Sequence, residues 1–377
     1  MNLFSAFSSA FFVIAERVED CYYESVRITA RKVTRRGIQI ALGCLWLLDG
    51  LLQLQPQMFT ASFANNVILP AAQGQPIWVS GPMHFFVHIF LVQPALFNSF
   101  SAVIQLAIGV LILWKRTIKI GLIASVGWGL FVWYIGEGLS GLASGHAMLL
   151  MGLPGAALIY VLLALGTLVP AGKQTDKRPA YWLVMVWIGI WLAGSIYQVL
   201  PGQNTIADNT AMILGNANGA PTWLTSVDNS VANYIGRFGT ASTVPTSSMA
   251  GMPGMSGVYA TAPATSASGK QHAVSGFGFV LLLALFQVFI AFAVLVPGVL
   301  RWLGVIAGSA VSLCFWIVGQ SLGSYYSGVA TDPNTAPLLI LLGVAVLGCT
   351  QRDPAVRQYF ARIKNGFLDE ARALNEG

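Results

Sequence analysis

Two acidic residues stand inside long apolar stretches: Asp49 in WLLDGLLQLQP and Glu137 in WYIGEGLSGLASG. A charged group in hydrocarbon is costly, so an ionisable residue there is a candidate for proton or cation handling. His84 and His88 are four residues apart, which on a helix places both on one face, at a spacing able to hold one metal ion. His146 follows closely on the Glu137 segment. Met249, Met252 and Met255 form M-x-x-M-x-x-M in a stretch rich in Ser, Thr, Ala and Gly. Thioether sulfur suits Cu(I), and imidazole suits copper or zinc. One reading gathers Asp49, His84, His88, Glu137 and His146 into a metal site, with copper the favoured ion and the methionines a flexible capture arm. Plainer roles are open to each. Asp49 can accept hydrogen bonds from neighbouring helices, Glu137 can face water, the histidines can belong to an interfacial aromatic belt, and the methionines can be linker. Trp46, Trp133, Trp191 and Trp316 read as packing anchors, and Gly141 to Gly145 as a close helix contact.

The elements that position these residues are apolar helices. Hydrophobic residues make up 55% of the 377 positions and charged residues 9%, against about 25% charged in a soluble domain. Apolar runs with at most one charged residue lie near 37–55, 96–114, 119–136, 151–170, 180–199, 274–297, 300–321 and 336–350. About 20 such residues match a bilayer core at 1.5 Å per residue, and backbone in lipid must satisfy its own hydrogen bonds as a helix. The expected fold is all-α, with eight transmembrane helices. Residues 3–15 are too short to span and read as an amphipathic helix on the inner surface. Residues 80–92 read as a short outer helix ending at Pro94.

The net charge of +6 is distributed by side. With an inside N-terminus, basic residues cluster before the first run (Arg17 to Arg36), at Lys115 to Lys119, at Lys173 to Arg178, at Arg301 and in the tail from Arg352 to Arg372. Arg237 and Lys270 alone fall outside. The positive-inside rule then puts both termini in the cytoplasm. The basic runs are topology signals that meet anionic lipid, and no nucleic-acid partner is implied. The expected location is a bacterial cytoplasmic membrane. Cys21, Cys44, Cys314 and Cys349 include no outer pair and no C-x-x-C, so no disulfide is expected. No P-loop, H-E-x-x-H or G-x-S-x-G is present, which removes support for nucleotide-driven transport and serine hydrolysis.

The chain also repeats itself. At a shift of 145, Trp46, Gln53, Pro56, Ile68, Gly74, Pro76 and Trp78 meet Trp191, Gln198, Pro201, Ile213, Gly219, Pro221 and Trp223. At a shift of 183, Gly121, Trp133, Gly136, Leu139, Gly145 and Pro154 meet Gly304, Trp316, Gly319, Leu322, Gly328 and Pro337. The expected organisation is a cytoplasmic segment 1–36, a four-helix repeat 37–170, a second repeat 180–350 carrying an outer insertion 224–273, and a tail 351–377. Four spans per half make the repeats parallel. Under these shifts Asp49, His84, His88, Glu137 and His146 meet Gly194, Asn229, Asn233, Gln320 and Val329, so the ionisable residues of the first half become neutral in the second.

At WLLDGLLQLQPQMF and WYIGEGLSGLASGHAM the chain resembles a group of poorly characterised bacterial integral membrane proteins, and more distantly the DoxX-like fold. The resemblance covers roughly 37–170, and 180–350 through the repeat. It implies proximity to respiratory redox systems, and the leading reading of the residues is an outer-facing polar or copper site in the first repeat of an accessory component of a membrane redox or respiratory complex. The chain departs from the dithiol pattern by lacking outer cysteines. A proton- or cation-coupled permease and a purely structural membrane subunit are the alternative readings.

Overall fold

The computed structural model describes residues 33–168, 178–217, 219–238, 276–296 and 298–349. The expected surface helix at 3–15, the methionine triplet, His272 and the tail lie outside these residues. Among the described residues all regular structure is helical.

The first half contains α1 (Arg35–Leu52), α2 (Ile77–Val92), α3 (Pro94–Leu113), α4 (Ile118–Phe131) and α5 (Ala156–Leu168). The second contains α6 (Leu183–Gln198), α7 (Ile206–Asn216), α8 (Thr222–Gly236), α9 (Gly276–Ala293), α10 (Val299–Val318) and α11 (Thr335–Cys349). Each of the eight apolar runs holds a helix. The run at 151–170 enters its helix only at Ala156, because Gly152 and Gly155 take positive φ ahead of it.

Four helical stretches, Pro94–Leu113, Ile118–Gly136, Gly276–Ala293 and Val299–Val318, are long and apolar enough to cross a membrane. They stand at the periphery. Their outward faces carry Leu96, Phe100, Val103 and Val110 on α3, and Leu282, Leu285, Phe286, Phe289 and Phe292 on α9. An apolar belt of this extent is unsuited to water, where each such side chain forgoes about 1.5–3 kcal/mol of burial. Lipid removes that cost, and the chain is a membrane protein on these helices. The shorter apolar helices α5 and α11 are buried nearly all round, and α6 buries most of its surface while exposing Met185 and Ile196.

Packing follows from small residues. α1 lies along α3, and a Cβ on Gly50 would stand 2.7 Å from Leu106 Cγ, so glycine permits the approach. α4 pairs with α5, α6 with α9, and α10 with α11. The halves meet where α5 touches α11 and α6, and where α11 touches α1. Trp187 and Trp191 are fully buried there, their rings 5.6 Å apart. Arg36 donates to the Ile112 carbonyl at 2.8 Å and Arg301 to the Val294 carbonyl at 2.6 Å, so each cation satisfies the C-terminal end of a neighbouring helix.

The described elements recur in order, and so does their burial. On α1 the buried residues are Ile38, Gln39, Leu42, Gly43, Trp46, Asp49 and Gly50. The positions 145 later on α6, Leu183, Val184, Trp187, Ile188, Trp191, Gly194 and Ser195, are buried too. The turn after α4 runs through left-handed backbone at Gly138, Leu139, Ser140 and Gly141 (φ 54, 55, 52 and 78°). Ser321, Leu322, Gly323 and Ser324 do the same after α10 (φ 46, 53, 74 and 54°). Leu and Ser rarely adopt this region, so the shared run is a specific feature of both turns. The register expected from sequence needs one correction. Trp133 Nε1 donates to the Pro154 carbonyl at 2.8 Å, and Trp316 Nε1 to the Pro333 carbonyl at 2.7 Å. Pro154 therefore corresponds to Pro333 and not to Pro337, because α11 starts four residues earlier in its register than α5 does.

Candidate functional site

Asp49 occupies the buried stripe of α1, one turn beyond Trp46, and is 2% exposed. Its position follows from the i, i+3, i+4 spacing of the apolar residues around it. The phenol of Tyr160, on α5, faces it. The Tyr160 ring also lies 4.5 Å from that of Trp46, so aromatic packing sets the hydroxyl beside the carboxyl.

Glu137 is placed by the left-handed turn. That turn folds the chain back, so that the Glu137 side chain reaches the start of α5. Oε1 accepts the Ala157 amide N–H at 2.9 Å, and Oε2 accepts the Ser140 hydroxyl at 3.1 Å. The carboxylate thus satisfies an N–H that the first turn of a helix leaves open. Gly155 makes room for it: φ is 107°, and a Cβ there would stand 2.1 Å from Glu137 Oε2. In the second half Gln320 Oε1 accepts the Ala336 N–H at 3.1 Å. A neutral amide performs the same cap, so capping alone does not call for the charge of Glu137. The strained turn is likewise shared, and its strain belongs to the scaffold of both halves.

A third carboxyl arrives from the other half. Asp332 lies in the loop before α11, where the Thr331 hydroxyl donates to Oδ2 at 2.6 Å and the Asn334 N–H to Oδ1 at 2.7 Å. The loop is tied to the first half by Gln55 Nε2, which donates to the Ala330 carbonyl at 3.0 Å, and by the Thr335 hydroxyl, which donates to the Gly152 carbonyl at 2.7 Å. Burial holds the Asp332 carboxyl above its usual range, and the two hydrogen bonds pull partly against that rise. The negative charge of Asp332 acts on Asp49, Glu137, Tyr160 and Tyr325. Burial first, then Asp332 and Asp49, push the Tyr325 phenol up to about 12. No Lys or Arg is among the charges acting on the three carboxyls.

The histidines stand apart from this cluster. His84 and His88 share one face of α2, as their spacing predicts, and both are exposed. The His84 Nδ1–H donates to the Ser80 carbonyl of its own helix at 2.7 Å. His146 is exposed at the start of the extended segment that precedes Leu149. Among the described residues no three His, Cys, Asp or Glu side chains converge as a metal-holding group. Copper on the α2 pair would need a further ligand from beyond those residues, such as Met249, Met252 or Met255. Cys44 and Cys314 are exposed on their helices, and Cys349 is buried.

Sequence reasoning singled out Asp49 and Glu137; the charge of Asp332 acts on each of them, though among the described residues the three carboxyls do not converge as a metal-holding group. It missed Asp332, Tyr160 and Tyr325. One signal was available: at the shift of 183 Asp332 meets Leu149, another ionisable–apolar mismatch. In space Leu149 stands beside the counterparts of Asp49 and Glu137, although by the Pro154–Pro333 pairing the residue in the register of Asp332 is Leu153. A Cβ on Gly194, the counterpart of Asp49, would stand 2.1 Å from Leu149 Cδ1, and Gln320 Nε2 donates to the Leu149 carbonyl at 3.4 Å. The acidic site thus has a neutral twin of Gly194, Gln320 and Leu149. The chain matches no protein-family model, no curated protein and no solved structure.

Proposed function

We propose that this protein is a cation-coupled membrane permease of eight spans in two parallel four-helix repeats, with one ion site between them. The carrying observation is that the charge of Asp332 from one half acts on both Asp49 and Glu137 of the other, with no Lys or Arg among the described residues acting on them, while the counterparts of Asp49 and Glu137 are neutral. Like charges in a low-dielectric setting repel strongly, and taking up a proton or another small cation relieves that repulsion. Transporters built from repeats place coupling-ion sites at the interface of the repeats. The matching burial of α1 and α6 and the shared left-handed turns support the duplication. In this reading the protein lies in a bacterial cytoplasmic membrane with both termini inside, and the site lies near the outer surface.

The test is proton movement in vesicles. Purified protein is reconstituted with a pH-sensitive dye inside, and an outward-facing acid or cation step is applied. The wild type is expected to move protons or to exchange them for the cation. Asp49→Asn and Asp332→Asn are expected to slow this at least about tenfold, about 1.4 kcal/mol in barrier. Equal rates in the wild type, both variants and empty vesicles would overturn the reading.

A further inference from the structure

Beside the three carboxyls, the seam between α1 and α3 holds a second set of oxygens. Gln53 is one turn beyond Asp49 on the buried stripe of α1, and Asn98 and Gln105 lie on the facing stripe of α3. Their exposures are 3%, 1% and 5%, against 2% for Asp49. The Asn98 amide donates to the Gln53 carbonyl at 2.7 Å, which ties the two helices at this level. About two turns further along α3, Leu106, next to Gln105, meets Gly50, next to Asp49. Four buried oxygens, Asp49 Oδ1, Gln53 Oε1, Asn98 Oδ1 and Gln105 Oε1, have no hydrogen-bond donor among the described residues.

Buried acceptors without donors are expensive, on the order of 1–3 kcal/mol each. Four on one seam form a set that a cation would satisfy. The donors are all oxygen, which selects a hard ion over copper or another soft metal. They carry one formal negative charge, which a monovalent ion neutralises. A divalent ion held by this set would leave a net positive charge in the apolar interior.

The second half supplies a contrast. Asp49 becomes Gly194. Gln198 is spoken for, donating to Asn209 Oδ1 at 3.1 Å and to the Gln203 carbonyl at 3.4 Å. Along α9 the buried residues Val280, Ala284, Gln287, Ile290 and Ala291 match Asn98, Ala102, Gln105, Ile108 and Gly109 of α3. Valine thus stands where Asn98 does, and Gln287 is the one oxygen-bearing member left without a donor.

We infer that the α1–α3 seam binds a desolvated alkali cation of the sodium class through Asp49, Gln53, Asn98 and Gln105. This assignment rests on the permease reading and names its coupling ion. Asp49 belongs to both sets, so the ion and a proton on the acidic cluster would compete.

The test uses the full chain in detergent with sodium as the probe. Thermal unfolding and retention of radioactive sodium are measured in sodium chloride and in choline chloride at equal ionic strength. Sodium is expected to raise the Tm by several degrees and to be retained. Gln105→Met, which keeps size and removes the oxygen, is expected to weaken retention at least about tenfold. Gln287→Met is expected to leave it unchanged. Identical behaviour of the wild type in sodium and choline would overturn the assignment, and so would equal loss in both Met variants. If Gln105→Met does not fold, Asp49→Asn decides: retention as strong as in the wild type would overturn the assignment, and loss supports it. Sodium silence alongside proton movement that depends on Asp49 would remove the sodium site and leave the permease. Sodium retention without any flux would do the reverse.

Discussion

Glu137 and Gln320 do the same structural work in the two halves. Each accepts a hydrogen bond from the second residue of the helix that follows, Glu137 from Ala157 at 2.9 Å and Gln320 from Ala336 at 3.1 Å. The shared acceptor separates the cap from the charge. Glu137→Gln should leave thermal stability in detergent within about 0.5 kcal/mol of the wild type, whereas Glu137→Ala should cost about 1–2 kcal/mol through the lost cap. The same Gln variant should slow cation-dependent proton movement. Wild-type flux in Glu137→Gln would reduce Glu137 to a cap.

Asp228 offers a pH test outside the spans. It lies on α8 with 0% exposure, and neither carboxylate oxygen has a hydrogen-bond partner. Its counterpart on α2 is the buried Met83. Burial raises its pKa from 3.8 to about 6. An acid with a raised folded pKa binds its proton more tightly when folded, so its effect is felt as lost stability with rising pH. Between 3.8 and about 6 the wild type should weaken relative to Asp228→Met, and above that window the difference should be constant. Denaturation midpoints of both proteins across pH 3 to 8, roughly the range spanning the window, measure this. Parallel profiles would show that Asp228 does not carry the effect.

Gly155 is held by two constraints at once. Its φ of 107° disfavours any side chain, and a Cβ would run into the Glu137 carboxylate. Gly155→Ala should therefore cost about 2 kcal/mol or more, with loss of the Glu137 cap. Combining it with Glu137→Ala should recover part of that cost, because the clash disappears while the strain remains. Unfolding of the two single variants and the double variant gives the coupling directly. Additive losses would mean that the two residues do not interfere.

Topology provides an independent check. Reporter fusions after residues 117, 175 and 377 should read cytoplasmic, and one after residue 240 periplasmic. The expectation rests on the side-specific distribution of Lys and Arg. A cytoplasmic signal at 240 would remove the eight-span reading and, with it, the outer position of the acidic site.

What the sequence determined by itself was local and periodic. Apolar runs of about 20 residues specify helices, because a helix satisfies its backbone hydrogen bonds within the one segment and spans the bilayer core at that length. The stripe around Trp46 places Asp49 on the buried face, since 3.6-residue periodicity assigns faces without knowledge of partners. His84 and His88 share a face for the same reason. The pairing of Glu137 with Gln320 was legible because side chains of similar shape kept their register. Tertiary structure decided the rest. Asp332 joins Asp49 only because a loop of one half is pinned to the other through Gln55 and Thr335, a relation with no periodic trace. The pairing of Pro154 with Pro333 was hidden because four residues shift between the left-handed turn and α11, where the tryptophan hydrogen bonds and the caps on Ala157 and Ala336 reveal the true register. Whether oxygens such as those of Asn98 and Gln105 have donors depends on which helices touch, and helix contact is set by packing across the whole bundle rather than by any one segment.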